Sequence, residues 1–441
     1  SSSITTVMLS PLVGAANSLM WNTLEYVALL FAVTAGFAYA NHYGLRLPRN
    51  SGLLVIALAA SLCLRLIEYV FPAIGLATVL RHSLGHADLG PLLLNVFLGF
   101  LLFAGALDVD VRALRDRKWT ILALATVGVL ISTFAMAGGM FGIFRLAGIS
   151  VPLSYCLVFG ALISPTDPVT ILSVLRRLHI PARLEAVISG ESLFNDGIGI
   201  VFYTVFLHYA TSGGDSGVTV FGIFLDFIRE AGGGILLGLA AGGLAFAAMR
   251  GIDEYNIELM ISLALVTGTF GIAQSIGVSG PVAVVVAGLL MGSVGVRYAV
   301  SRTTHDYLQK FWRLVDELLN SLLFLLIGLE FAAIDLRWSF VVMVGLAIPL
   351  SLAVRGLSIT MASLPLNLGA PHKLRAITLL TWSGLRGGIS VALALSLPPG
   401  PYREALTTAC YGIVIFTMIV QGLSLNRVAS RLYPPTPEAP V

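Results

Sequence analysis

The stretch Gly190-Glu191-Ser192-Leu193-Phe194-Asn195-Asp196-Gly197-Ile198-Gly199 sets two acids, an amide and a hydroxyl inside an apolar run. That run extends from about residue 188 to 210, long enough to cross a bilayer. On a helix, Ser192 and Asp196 are four apart and share one face, while Glu191 and Asn195 share the neighbouring face. Ionisable groups at membrane depth are costly and by default mark a functional site. Polar residues can also simply hold membrane helices together. Two acids within six residues are too many for that role alone.

Outward from this stretch, the rest of the chain is equally apolar. Of its 441 residues, 57% are hydrophobic and 11% are charged. A soluble domain carries about 25% charged residues. The reading is therefore an all-α polytopic membrane protein. A net charge of +3 gives no argument for a nucleic-acid partner. Cys63, Cys156 and Cys410 lie in apolar runs without metal-ligand spacing and read as packing residues. No signal peptide is predicted over residues 5–21.

Apolar runs separated by short polar loops predict 13 spans, at 24–40, 53–72, 91–107, 119–144, 152–175, 188–210, 231–249, 257–276, 280–293, 311–333, 339–364, 374–397 and 404–424. Residues 218–230 read as an interfacial amphipathic helix leading into the seventh span. With the N-terminus outside and the C-terminus in the cytoplasm, the inner loops hold most of the Lys and Arg. The outer loops then hold only Arg81, Arg145, Arg229, Arg337 and Arg403. Residues 432–441 read as a disordered tail. A compact chain of this kind predicts a bacterial inner (plasma) membrane.

The fifth span contains Ser164-Pro165-Thr166-Asp167-Pro168. Two prolines three apart remove backbone donors in mid-membrane, so the helix must break there. Such a break is tolerated only where it faces protein or a wet cavity. The twelfth span has a matching interruption, Ser383-Gly384-Leu385-Arg386-Gly387-Gly388, about half the chain further on. Paired broken spans in two halves point to a transporter binding site built from an inverted repeat. Asp167 and Asp196 each lie roughly 12 Å from the inner end of their spans, which suggests one shared site. Oxygen ligands of this kind suit a small alkali cation.

Taken together, Thr166-Asp167-Pro168, GESLFNDG at 190–197 and GLRGGIS at 384–390 resemble the NhaP-type branch of the monovalent cation:proton antiporters, within the sodium/proton exchanger superfamily. The resemblance covers essentially the whole chain. It implies the NhaA-like fold of about 13 helices, with inverted repeats and two crossed discontinuous helices. A moving core would comprise approximately 119–210 and 339–424, and a dimerisation part 24–107 and 231–333, in a homodimer embedded in membrane lipid. Asp196 would bind either proton or cation, Asp167 would shape the site, and the Thr166 carbonyl and Ser192 hydroxyl would add oxygens. Asn195 would hold the unwound segment through Thr166, and Glu191 would pair with Arg386. No cofactor is implied. The transported species would be Na+ (or Li+ or K+) and H+, serving pH and sodium homeostasis.

Asn195-Asp196 stands where the electrogenic branch has two aspartates, which implies electroneutral exchange. Many relatives carry an acid in the third span where this chain has Ala104, so sodium, lithium and potassium remain open as substrates. Potassium/proton exchange is one alternative. An intramembrane aspartyl protease using Asp167 and Asp196 is another, and a passive cation channel a third. Arg355 reads as a structural residue with an unnamed partner. Arg65 and Glu68 could satisfy each other, and Asp316 and Glu317 read as interfacial near Arg313, with the mouth of an inner cavity as the alternative.

Overall fold

The computed structural model describes residues 23–71, 96–109, 111–167, 181–212, 220–295, 302–333, 337–366, 368 and 372–434. Parts of the predicted spans, at 72, 91–95 and 168–175, and the tail residues 435–441 lie outside these. The described residues are helical throughout, joined by short turns.

The helices are α1 (Thr23–Ala40), α2 (Arg49–Val70), α3 (Leu98–Leu107), α4 (Val111–Asp116) and α5 (Lys118–Leu146). Next come α6 (Leu153–Ile163), α7 (Ala182–Thr211), α8 (Val220–Met249), α9 (Tyr255–Ile276) and α10 (Gly280–Leu290). The last are α11 (Arg302–Ala333), α12 (Trp338–Ser363), α13 (Lys373–Trp382), α14 (Gly388–Leu395) and α15 (Arg403–Leu432). Among the described residues, 6 helices are long and apolar enough to cross a membrane, and several shorter apolar helices accompany them. Large apolar side chains such as Trp338, Leu146 and Leu374 stay exposed, as expected where the solvent is lipid.

The described chain groups into two compact units. One comprises residues 23–71 with 321–333. Within it, Ser61 Oγ on α2 donates to the carbonyl of Gly328, where a side chain would collide with Ala57. Arg65 donates to the Phe331 carbonyl at 2.9 Å and lies over that residue's ring. The Glu68 side chain lies outside the described residues.

The other unit comprises the remaining described residues and holds the interrupted helices. Helix α8 packs on α10 through small residues: a Cβ on Gly234 would lie 2.7 Å from the Ser279 carbonyl. The turn between α9 and α10 is explicit in the sequence. Gly277 adopts φ 69°, which L-residues with side chains rarely take, and the Val278 N–H closes back on the Ala273 carbonyl. Ser279 Oγ then accepts from the Val282 N–H, with Pro281 in the first turn of α10.

Residues 220–230 are helical and run without a break into the seventh predicted span, as the first turns of the continuous helix α8. No proline intervenes, and Gly233 and Gly234 leave room for Val278 and Ser279 of the turn and Val282 of α10. Phe221, Phe224, Leu225 and Ile228 do form an exposed apolar stripe at helical spacing.

Candidate functional site

The interruption after α6 is built by sequence chemistry. Residues 164–167 are non-helical, and Pro165 has no N–H to offer an α-helix. The second interruption covers residues 383–387, between α13 and α14. The two broken segments meet: the Asp167 N–H donates to the Leu385 carbonyl at 2.8 Å. A Cβ on Gly387 would lie 2.6 Å from the Asp167 Cβ, so the approach requires glycine.

The backbone groups freed by these breaks are claimed by side chains, as burial demands. Arg386 Nη1 donates to the carbonyl of Ser164, and to that of Pro165 at 3.2 Å. A guanidinium thus caps the C-terminal end of α6, where the helix dipole is negative. Thr417 Oγ1 accepts from the Arg386 N–H at 3.2 Å, and Gln421 Nε2 donates to the Trp382 carbonyl at 3.1 Å. Both belong to a single π-helical turn in α15, Thr417–Gln421, and both are buried. Sequence reading missed them. Two polar residues four apart within the apolar thirteenth span were the available signal.

Helix α7 runs unbroken past the crossing and presents two adjacent ridges. On the first, Asn195 Nδ2 donates to Thr166 Oγ1 at 2.9 Å and to Glu191 Oε1 at 2.7 Å. Its Oδ1 accepts from the Thr166 N–H at 3.3 Å. The amide is therefore used on both sides and its orientation is dictated by its neighbours. Glu191 takes a two-pronged ion pair from Arg355 on α12, Nη1 to Oε1 at 2.8 Å and Nη2 to Oε2 at 2.9 Å. Both side chains are buried.

This corrects the expected pairing of Glu191 with Arg386. Arg355 reaches Glu191 past Gly384, where a Cβ would come within 2.7 Å of its Nε. Arg386 is held in the break itself, against the α6 carbonyls that its guanidinium satisfies. Arg355, without a named partner from sequence, is thereby accounted for.

The second ridge is different. Ser192 Oγ meets Thr166 Oγ1 at 3.1 Å. Asp196, one turn on, is only 3% exposed, yet its Oδ1 has no hydrogen-bond partner among the described residues. It lines a cavity of about 40 Å³ together with Thr166, Asp167, Asp316, Asn320 and Ser390. One water needs about 10–15 Å³, so a small hydrated species fits. Asp167 is also buried. Thr166, Asp167, Ser192, Asn195 and Asp196, all singled out from the sequence, thus lie together, with Glu191 and Arg386 bracing them.

Of the two placements open to Asp316, the structure has the cavity and not the interface: the residue is buried and lines the cavity. Trp312, Asp316 and Asn320 recur every four residues on the inward face of α11, whereas Arg313 points away to pair with Asp108 at 3.7 Å. Ala104 packs in an apolar cluster with Trp312 and Phe270, and α3 lines the cavity through Leu101, Leu102 and Gly105.

A buried carboxylate beside two crossed, interrupted membrane helices is the construction of a secondary transporter. The family description "Sodium/hydrogen exchanger, transmembrane" matches residues 29–431, and the chain belongs to this family. It is 42% identical over 415 residues to the Na(+)/H(+) antiporter NhaP of Pseudomonas aeruginosa, covering 93% of this chain and 97% of that protein. It is 34% identical to the Na(+)/H(+) antiporter NhaH of Halobacillus dabanensis, covering 77% of this chain and 83% of that protein. In fold, it matches the structure of the sodium proton antiporter MjNhaP1 of Methanocaldococcus jannaschii with a TM-score of 0.72 at 22% identity, over 93% of this chain and 99% of that one.

Proposed function

We propose that this protein is a secondary antiporter that exchanges Na+, or Li+, for H+ across a bacterial plasma membrane, with Asp196 as the shared binding group. The observation that carries this reading is the unpartnered oxygen of Asp196, buried at a polar cavity beside the helix crossing. A buried carboxylate in that position is stable when protonated or when it holds a cation, and not when bare. Proton and cation therefore compete for one group. Ser192, the Thr166 main-chain carbonyl and Asp167 supply further hard oxygens for a small monovalent ion.

Asn195 carries no proton through the cycle, and Glu191 stays neutralised by Arg355. Asp196 then crosses with either one proton or one monovalent cation, so exchange is electroneutral. Access alternates as a moving core of about 119–210 and 339–424 shifts against a dimerisation part of 24–107 and 231–333. The N-terminus is outside and the C-terminus in the cytoplasm, as the distribution of Lys and Arg among the loops favours.

The test is sodium-gradient-driven proton flux in proteoliposomes, with lithium and potassium as parallel substrates. The wild-type protein should exchange sodium or lithium for protons, and Asp196→Asn should be inactive while remaining folded. Potassium-only exchange would replace the sodium reading. Normal exchange by Asp196→Asn would remove Asp196 from its role.

A further inference from the structure

We propose that Asp316 is an additional cation-binding residue, acting with the Ser390 hydroxyl to complete the oxygen set opposite Asp196. The inference rests on the antiporter reading above and extends its site to α11 and α14.

Asp316 is 9% exposed, and among the described residues it has no basic partner. The nearest candidate on its own helix, Arg313, is more than half exposed and is turned to Asp108. Asn320 Nδ2 donates to Asp316 Oδ1 at 3.1 Å, which fixes the carboxylate against its helix and engages one of its two oxygens. A buried carboxylate in this position needs a compensating positive charge or a proton.

Ser390 is an independent observation. It sits in the first turn of α14 with zero exposure, and its Oγ has no hydrogen-bond partner among the described residues. It lines the same cavity as Asp316 and the unpartnered Asp196 oxygen. Buried hydroxyls are nearly always hydrogen-bonded. Two orphaned oxygens and a third carboxylate around one small space point to a ligand that accepts several oxygen donors at once. No lysine, arginine or histidine contributes to the described lining. The three carboxylates of Asp167, Asp196 and Asp316 outnumber the one guanidinium packed beside the lining, that of Arg386 on the Pro165 carbonyl, so the field in the cavity favours a cation over a neutral guest.

The arrangement also bears on Ala104. Ala104 offers no side-chain oxygen, whereas Asp316 is already at the cavity. In this chain the extra negative charge comes from α11 instead of α3.

The experiment measures the sodium dependence of exchange in proteoliposomes for wild type, Asp316→Asn, Asp316→Glu and Ser390→Ala, with sodium or thallium(I) binding to the purified proteins alongside. Asp316→Asn should raise the half-saturating sodium concentration about tenfold, the size expected for loss of a charge-assisted contact. The rate at saturating sodium should fall by a smaller factor. Asp316→Glu should recover part of the affinity, and Ser390→Ala should weaken binding by about threefold.

If wild type shows no sodium-, lithium- or potassium-driven proton flux, the antiporter reading itself fails. If wild type exchanges and folded Asp316→Asn keeps wild-type half-saturation and binding, the Asp316 assignment alone is overturned. A lower maximal rate at unchanged half-saturation overturns it too. Should Asp316→Asn not fold, Asp316→Glu and Ser390→Ala decide by the same criterion: a shifted half-saturation supports the proposal and an unshifted one ends it.

Discussion

Two ridges of α7, one residue apart in register, have opposite electrostatic fates. Glu191 and Asn195 are saturated: a bidentate arginine, two amide donors and the Thr166 backbone account for their polar atoms. Asp196, next to Asn195, keeps an oxygen with no partner at a cavity. Saturation makes the first ridge a brace, because its charges are cancelled in one geometry only. Incompleteness makes the second a binding site, because its charge must be cancelled by something that comes and goes. Burial is nearly equal on the two ridges, so hydrogen-bond accounting separates structure from function here where depth does not.

The sharpest way to break this comparison is to neutralise one ridge at a time. Asp196→Asn should abolish exchange and leave the melting temperature in detergent unchanged or raised, since it removes an uncompensated buried charge. Arg355→Ala should do the reverse in kind. Stranding Glu191 without its partner costs about 3–5 kcal/mol, and the loss should appear as a large drop in thermal stability. The double variant Glu191→Gln/Arg355→Gln should recover part of it, because the lone charge is what costs most. If Arg355→Ala melts like wild type and loses only cation affinity, the brace is itself part of the site.

Arg386→Ala should have a smaller effect. It leaves the Ser164 and Pro165 carbonyls without their guanidinium, a loss of about 1–3 kcal/mol, with Glu191 still paired. A melting shift equal to that of Arg355→Ala would show that the two arginines act as one unit. Gly387→Ala should follow, at about 1–3 kcal/mol for forcing a methyl against Asp167. Its transport rate should fall with its stability, since the crossing itself is spread.

The smallest expected effect concerns the membrane potential. Each uncompensated charge crossing the membrane would feel about 2.3 kcal/mol per 100 mV. With Asn195 neutral and Glu191 cancelled, sodium/proton exchange under a valinomycin-clamped potassium potential should change little in rate. A large reversible change would mean that a second group, Asp167 first among them, titrates during transport.

The amino-acid sequence by itself determined the class, the interruptions and the central acid. Apolar runs of bilayer length admit only helices, Pro165 and the glycines around Arg386 forbid continuous ones, and spacing along a single helix ties Ser192 to Asp196 and Glu191 to Asn195. All of these are local properties, carried within a few residues of chain. The partner of Glu191 was not of that kind. Arg355 and Arg386 are both arginines inside late spans, and only packing decided that Arg355 passes Gly384 while Arg386 turns to the α6 carbonyls. Asp316 could be placed from sequence at a cavity mouth or at the interface, and packing decided between them, because its distance from Asp196 is set by how α11 lies against helices over a hundred residues away in sequence. Which buried charges meet depends on such long-range approaches, and the energy of a buried charge depends almost entirely on what it meets.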